Sequence, residues 1–366
     1  MQGHDFEHEQ VQIMHDRDTG LTAIIALHST VLGPAAGGVR RWSYTGMAAA
    51  QQDALRLSEG MTYKNALAGL PFGGGKSVIL ADHNQKPTPA QLKKFAQWLN
   101  ELEGKYVTAE DVGMGVPEMC ALAAHTTYVS GLGTDGFGGD PSPKTAHGVF
   151  LGIQAAVKHK LGLTSMLGVR VAVQGLGNVG MNLCRTLSRV GAQLWVADID
   201  PNRVTHAEKN FGATGVAPNA LLKLAVDVFA PCALGGAVTE EIAESIDTAV
   251  IAGAANNQLA EEICGDILAQ RKILYAPDFI INAGGVISVA HEYLMQDRQM
   301  EHASDQGAEH FAEQWVEQRI ESIPERLLSV VRNAEQLGGS TQRVAREQAL
   351  DVLAAGYRLT GGCKAA

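Results

Sequence analysis

Nowhere does the 366-residue chain carry eighteen consecutive apolar residues, and its opening stretch, MQGHDFEHEQ, has neither a basic patch nor an apolar run. That pattern predicts neither a membrane span nor a secretory leader, and a cytoplasmic protein is read instead. Positive charge is scarce: 29 Lys and Arg stand against 39 Asp and Glu, a formal charge of −10. Such a balance argues against an electrostatic grip on nucleic acid or an anionic membrane and points to a small-molecule or protein partner. Cysteine pairs are missing too. The five cysteines, at 120, 184, 232, 264 and 363, are odd in number and include no C-x-x-C, so neither a disulfide framework nor a cysteine zinc site is expected. Most should be buried thiols. Twelve histidines contain no H-E-x-x-H and no metal site is assigned; His4, His8, His15, His302 and His310 read as surface residues.

Glycine is in excess: 41 residues, about 11% against a usual ~7%, gathered in a few clusters. The length fits two domains of ordinary size. Val11–His15 and Leu21–His28 have the apolar content of strands around an Asp-Thr-Gly turn, and a helix is expected from Met47 to about Leu57. Thr88-Pro89-Ala90-Gln91 combines a cap, a proline at the first helical position and a capping-box glutamine, which starts a helix running to about Leu102. The irregular segment GLGTDGFGGDPSP, 131–143, reads as the linker between domains. Beyond it, Val169–Gln174, Leu194–Asp198, Val226–Ala230 and Ala249–Ala252 are short apolar runs separated by helix-length segments, the pattern of a parallel sheet covered by helices. From Gln306 to Arg358 the chain is helix-rich, with a break at Gly338-Gly339.

The strand Arg170–Gln174 leads directly into Gly175-Leu176-Gly177-Asn178-Val179-Gly180 and then a helical stretch, so G-x-G-x-x-G stands in the order a dinucleotide site requires. Gly175 permits the tight turn, Gly177 the close approach of a pyrophosphate, and Gly180 the packing of helix on strand; Asn178 and Val179 open the helix whose N-terminus faces the anion. Asp198 ends the second strand, eighteen residues past Gly180, where a ribose-binding acid belongs. A carboxylate there accepts a hydrogen bond from a 2′-hydroxyl and repels a 2′-phosphate, which points to NAD. Asp200 adds to that repulsion, and Arg203 reads as a solvated charge on the next helix.

Two lysines, Lys64 and Lys76, lie twelve residues apart across what reads as a glycine loop, Gly73-Gly74-Gly75. A phosphate loop is excluded, because glycine is needed six residues before the lysine and Leu70 stands there. Thr108-Ala109-Glu110-Asp111-Val112-Gly113 adds an acid pair at the end of a short strand, either a working site or a helix cap.

These blocks, together with Gly33–Arg40, Met61–Ala66, Gly139–Pro143, Phe229–Gly236, Ile251–Leu259 and Tyr275–Val286, resemble the amino-acid dehydrogenases of the glutamate, leucine, phenylalanine and valine group over nearly the whole chain. The resemblance implies an α/β fold of two domains with the active-site cleft between them. An N-terminal substrate-binding and oligomerisation domain would span 1–142, a Rossmann-type doubly wound NAD-binding domain 143–330, and a C-terminal helix, 331–366, would return to the first domain. It implies reversible NAD-dependent oxidative deamination of an L-amino acid to its 2-oxo acid and ammonia, in a homo-oligomer, dimer or octamer. Residue by residue, it makes Lys76 the general base and Asp111 the proton relay, with Lys64 binding the substrate carboxylate. It further puts Gly37, Gly38, Ala36, Met61, Ala109, Val286 and Val289 around the substrate, and Thr145 and Asn256 near the nicotinamide. Glutamate enzymes of this kind carry a lysine and a serine where this chain has Ala36 and Val289, so a side-chain carboxylate would enter unpaired, at a cost of several kcal/mol. Val286, Val289 and Ala109 look like the branched-chain enzymes, whereas alanine at position 36 is closer to the phenylalanine enzymes. A non-catalytic NAD sensor is the reading of another class, and it predicts damage at Lys64, Lys76 or Asp111; all three are intact.

Overall fold

A computed structural model describes residues 7–82, 85–133, 140–296 and 306–359, without the side chains of 296, 306–312 and 359. The described residues form two compact units. Of these residues, the first holds those up to Pro141, 288–296, 306–309 and those from Ala349 on; the second holds Ser142–Ile287 and 310–348. The first boundary therefore falls at 141/142, where the sequence reading put it at 142/143, and the chain crosses back at 287/288, not at 330/331. The reason is packing: the helix Ile323–Leu337 lies on the helix Ser142–Leu161 of the second unit, so residues 331–348 stay with that unit. Linker residues 134–139 lie outside the described residues, as do His4, His302 and Cys363.

The first unit contains β1 (Gln10–His15), β2 (Thr22–Ser29), β3 (Ala35–Ala36), β4 (Val39–Trp42), α1 (Met47–Leu67), β5 (Gly73–Leu80), α2 (Pro89–Glu101), β6 (Tyr106–Val107) and α3 (Val116–Ala123). The strands run in the order β1-β2-β5-β3-β6, with β4 also paired to β5; β1, β2 and β5 are antiparallel to their neighbours in turn, while β3 and β4 lie parallel to β5. Successive side chains of a strand point to opposite faces, and β2 is apolar on both. Ala23, Ile25 and Leu27 face Phe95, Leu99, Met119 and Leu122, whereas Ile24 and Ala26 face Ala50 and Ala54 of α1. Helices thus cover both faces, which accounts for the unbroken apolar run.

Helix α1 departs from expectation by continuing ten residues past Leu57 through Gly60. Ala50, Ala54, Ser58 and Thr62, spaced by four, form a ridge of small, fully buried side chains, and that burial outweighs the helix penalty of about 1 kcal/mol for one glycine. Thr62 of that ridge presses on Gly74, within a Gly73-Gly74-Gly75 run that is not a loop but the start of β5. A Cβ on Gly74 would lie 2.0 Å from Thr62 Oγ1 and 2.2 Å from its backbone nitrogen; one on Gly73 would lie 1.8 Å from the Ser29 carbonyl. Local propensity misled here, because glycine is chosen for space and not for a turn.

The second unit contains α4 (Ser142–Leu161), β7 (Arg170–Gln174), α5 (Asn178–Arg189), β8 (Gln193–Ala197), α6 (Pro201–Phe211), β9 (Thr214–Gly215), α7 (Pro218–Leu221), β10 (Val226–Pro231), α8 (Glu240–Ser245), β11 (Thr248–Ile251), α9 (Glu262–Gln270), β12 (Leu274–Tyr275) and α10 (Asp278–Ile281). After these come α11 (Gly284–Gln296), α12 (Gln306–Glu321), α13 (Ile323–Leu337) and α14 (Thr341–Leu359). Its sheet is wholly parallel in the order β12-β11-β10-β7-β8-β9. The direction of winding reverses between β7 and β10, the place where doubly wound sheets bind ligands at the strands' carboxyl ends. At Gly338 the predicted break occurs, with φ +67 and its N–H donated to the Ala334 carbonyl. Gly74→Ala should cost at least ~3 kcal/mol, the upper range for an overpacked core, while Gly339→Ala, with nothing within 4 Å of an added Cβ, should melt like the parent. Equal melting temperatures for the two variants would contradict the close packing of α1 on β5.

Candidate active site

In the first unit β4 runs beside the segment after β6: Val39 N–H donates to the Ala109 carbonyl (2.9 Å) and Arg41 N–H to that of Val112 (2.8 Å). The turn that follows is closed by Asp111 N–H to Met114 O (3.1 Å) and Met114 N–H to Asp111 O (2.9 Å). This backbone delivers the Asp111 carboxylate to Lys76 on β5. Lys76 Nζ stands 2.5 Å from Asp111 Oδ2, with side chains only 6% and 16% exposed. A second cation reaches the same oxygen: Arg40 Nε donates to Asp111 Oδ2 at 3.2 Å, and its Nη1 to Asp53 Oδ2 at 3.0 Å. The Tyr44 hydroxyl also donates to Asp53 Oδ2, at 2.6 Å.

Burial lowers the affinity of Lys76 for its proton; Asp111 opposes this, Arg40 reinforces it, and the net shift is downward from the ordinary lysine value. For Asp111 burial works the other way, but Lys76 and Arg40 overrule it and hold the carboxyl well below its usual range. Burial also works against a charge on Arg40, yet Asp111 and Asp53 together keep it firmly protonated. Sequence reading quoted Arg40 without giving it a role and missed Tyr44 and Asp53. One signal was available: strand alternation puts Arg40 on the face opposite the buried Val39.

Lys64 is buried on α1, one turn beyond Met61, and its helix is tied to the sheet by the next residue, Asn65, whose Nδ2 donates to the Gly73 carbonyl at 2.5 Å. Met61 overlies Gly37, where a Cβ would sit 3.1 Å from Met61 Cγ, and a Cβ on Gly38 would sit 3.0 Å from that of Asp111. Ala36 is half-buried and Ala109 buried. Met61, Gly37, Gly38, Lys76 and Asp111 are thus brought together. Val286 and Val289 are half-buried and one turn apart on α11; the first belongs to the second unit and the second to the first. Val289 offers its carbonyl to Ser130 Oγ at 2.9 Å. Glu292, one turn on, was not foreseen: buried, it accepts from the backbone of Gly131 (2.8 Å) and Leu132 (2.7 Å). His8, read as a surface residue, is half-buried and meets Ser58 Oγ at 2.8 Å. Cys184 and Cys264 are buried as expected, but Cys120 is exposed.

In the second unit Gly175 has φ +97, and the Cβ it lacks would meet Ala233 at 2.7 Å; a Cβ on Gly180 would lie 2.1 Å from the Gly175 carbonyl. Over Gly177, by contrast, there is open space. No side chain caps α5, so the N–H groups of its first turn, at Asn178 and Val179, are available to an anion. Asp198 accepts from Leu176 N–H (2.6 Å) and Asp200 N–H (2.8 Å). It therefore secures the glycine turn itself, and a carboxylate with four lone-pair sites can still receive a ribose hydroxyl. These residues fit a dinucleotide. Arg203 pairs with Asp200 at 3.6 Å on an exposed face, as the sequence suggested. Asn256 Oδ1 accepts from Asn282 Nδ2 at 3.0 Å, and Thr145 lies in the first turn of α4, next to Lys144, whose carbonyl abuts Gly284. A separate cavity of about 660 Å³ in this unit, flanked by Tyr275 and Thr341, contains none of the candidate residues.

Glu110, beside Asp111, is half-buried, and burial together with Asp140, Glu292 and Asp111 pushes its carboxyl up to about 7. A carboxyl raised on folding stabilises below its ordinary value of 4.5 and loses that contribution as pH rises through about 7. Glu110→Gln should therefore gain thermal stability relative to the parent between pH 5 and pH 8. Melting curves at intervals across that range check it, and a difference that does not vary with pH would remove Glu110 from the electrostatics of the site.

Two family models match the chain: the Glu/Leu/Phe/Val dehydrogenase dimerisation domain over residues 7–128, and Glutamate/Leucine/Phenylalanine/Valine dehydrogenase over 201–351. The glycine fingerprint falls between the two matches. Leucine dehydrogenase of Geobacillus stearothermophilus is 48% identical over 295 residues, covering 80% of each chain. Valine dehydrogenase of Streptomyces virginiae is 44% identical over 289 residues, 78% of this chain and 81% of the relative. The crystal structure of L-tryptophan dehydrogenase from Nostoc punctiforme superposes with a TM-score of 0.76 at 40% identity, covering 97% of this chain and 98% of that one. With both family segments matched and the lysine–aspartate pair assembled in the first of them, the chain belongs to the glutamate, leucine, phenylalanine and valine dehydrogenase family.

Proposed function

We propose that the protein catalyses reversible, NAD-dependent oxidative deamination of an apolar L-amino acid, leucine, valine or isoleucine, to its 2-oxo acid and ammonia. The buried contact between Lys76 Nζ and Asp111 Oδ2 carries the reading. A bound nicotinamide dinucleotide supplies the two-electron redox chemistry. The chain's own residues do the rest. Lys64 anchors the substrate carboxylate. Lys76, its proton loosened by burial, takes a proton from the water that adds to the imino carbon, and Asp111, ionised in the resting site, receives that proton and passes it to the departing nitrogen. A base suits this step when its affinity lies near the working pH, the direction in which burial moves a lysine.

Ala36 and Val289 offer no partner for a side-chain carboxylate, which supports an apolar substrate over glutamate. The small side chain of Ala36 on β3 favours a second reading, an aromatic amino acid such as phenylalanine or tryptophan. The sensor alternative loses support from the assembled pair. Asp198 supports NAD over NADP, since its carboxylate would repel a 2′-phosphate. A homo-oligomer, dimer or octamer, is part of the proposal: β1 is an edge strand with Val11 and Ile13 exposed, a surface suited to another copy. Among the described residues no helix is long and apolar enough to cross a membrane.

A panel of leucine, valine, isoleucine, methionine, phenylalanine, tryptophan and glutamate, followed at the NADH absorbance band, tests the substrate class; turnover confined to glutamate would overturn it. Lys76→Ala should lower kcat by at least ~10²-fold, and Lys64→Ala should act mainly on KM, because an anchor serves ground and transition states alike. Near-normal turnover by Lys76→Ala from pH 7 to 11 would refute the general-base role. For the cofactor, NAD should exceed NADP in kcat/KM, and Asp198→Ala should narrow the gap. Parity in the unaltered protein would count against Asp198 as the ribose acid.

A further inference from the structure

Asp111 is a carboxylate with two cations on one oxygen, and only one of them, Lys76, has a part in the chemistry proposed above. Arg40 is the other, and it does not stand alone. Its guanidinium is shared between Asp111 Oδ2 (3.2 Å) and Asp53 Oδ2 (3.0 Å), and the latter oxygen also receives the Tyr44 hydroxyl at 2.6 Å. Asp53 is thus divided between a cation and a phenol, and Arg40 between two anions. We propose that Arg40 and Asp53 are positioning residues that set, through the shared Asp111 oxygen, how tightly Lys76 holds its proton. The inference rests on the reading of Lys76 as the base.

Coulomb's law gives the two residues opposite signs. Arg40 spends part of the Asp111 charge and repels the ammonium, which loosens the proton; Asp53 offsets Arg40 and attracts the ammonium, which tightens it. The shifts at Lys76 have these same directions. The other titratable groups on the elements packed around β5 are Glu110 in the turn, Tyr106 on β6, Arg41 on β4, Arg56, Glu59, Tyr63 and Lys64 on α1, and His28 on β2. All stay in place in the variants below, as does the titration of the substrate amine, so differences from the parent report Arg40 and Asp53.

The experiment is the pH dependence of kcat/KM for L-leucine with saturating NAD, in the parent, Asp53→Asn, Arg40→Gln, Arg40→Lys and Lys76→Ala. Asp53→Asn should move the acid limb to lower pH and Arg40→Gln to higher pH, each by roughly half to one unit, the scale of one charge at moderate screening. Arg40→Lys should bring the limb back toward the parent. A purely structural role would lower kcat and leave the limb where it was. If Arg40→Gln does not fold, Asp53→Asn decides the matter alone, since the change is isosteric and Asp53 is 28% exposed. Limbs that coincide with the parent, or that move the same way in both variants, would overturn the proposal. Lys76→Ala separates this from failure of the base assignment: inactivity with unmoved limbs sinks only the positioning role, whereas near-normal turnover sinks the base.

Discussion

The close contact of helix α1 with the glycine backbone of β5 is the constraint on which the first unit depends. Three consecutive glycines in the middle of a sheet weaken it, since they bury no side chain and lose the most entropy on folding. The offset lies in what their absence of Cβ permits. Thr62 approaches Gly74 to a distance that no other residue could tolerate, and Asn65 bonds the Gly73 carbonyl. A helix packed that closely can present Lys64 from inside the molecule, while β5, released from the glycines after Gly75, places Lys76 at its first side-chain position. His28 belongs to the same arrangement: the register of β2 on β5 shifts between Leu27 and Ser29, and the histidine hydrogen-bonds Thr62 at 2.8 Å. Such a bulge re-aims a side chain.

Electrostatics then act within that frame. A lysine carried into a low-dielectric interior gives up its proton more readily, and a lone carboxylate nearby would reverse the effect. Burial and Arg40 together outweigh Asp111. With two cations on one oxygen, the carboxylate stays ionised and neither cation receives its whole charge. Asp53 and Tyr44 extend the chain outward to the half-exposed start of α1. Four charges thus alternate in sign from Lys76 to Asp53, an order in which each charge is flanked by its opposite and no buried charge is left uncompensated.

What the sequence disclosed follows the range of the interactions involved. The fingerprint was legible because its parts are contiguous: strand, glycine turn, helix and the acid of the next strand lie within thirty residues, and each has a local reason to be there. The capping box at Thr88 was legible for the same reason. The glycine run was misread, because it serves close contact with neighbours distant in sequence, Ser29 at Gly73, Thr62 at Gly74 and Tyr106 at Gly75, and nothing in Gly-Gly-Gly distinguishes space for them from freedom to turn. Arg40 and Asp111 are 71 residues apart, and Arg40 and Asp53 are 13. No period or motif links them, and only the fold shows that they share oxygens. The return of the chain to the first unit was read as one event at 331; packing of α13 on α4 moves it.

The two units also differ in what they can specify. A parallel sheet with a glycine turn and a ribose acid binds a dinucleotide whatever the reaction, so the second unit narrows the cofactor and not the substrate. Substrate chemistry has to come from groups particular to this fold, and most of those proposed for it lie in the first unit: Lys76 with its carboxylate partner Asp111, the buried Lys64, and the small apolar Ala36 and Ala109. Each is held by contacts distant in sequence. On the proposed reading, changing Ala36 or Ala109 alters which side chain fits, while leaving the Lys76–Asp111–Arg40–Asp53 chain of charges intact, because that chain is built on β4, β5, α1 and the turn after β6 and does not include the alanine side chains. Selectivity and proton transfer are then separable in the proposed function, one set by apolar volume and the other by charges that share an oxygen.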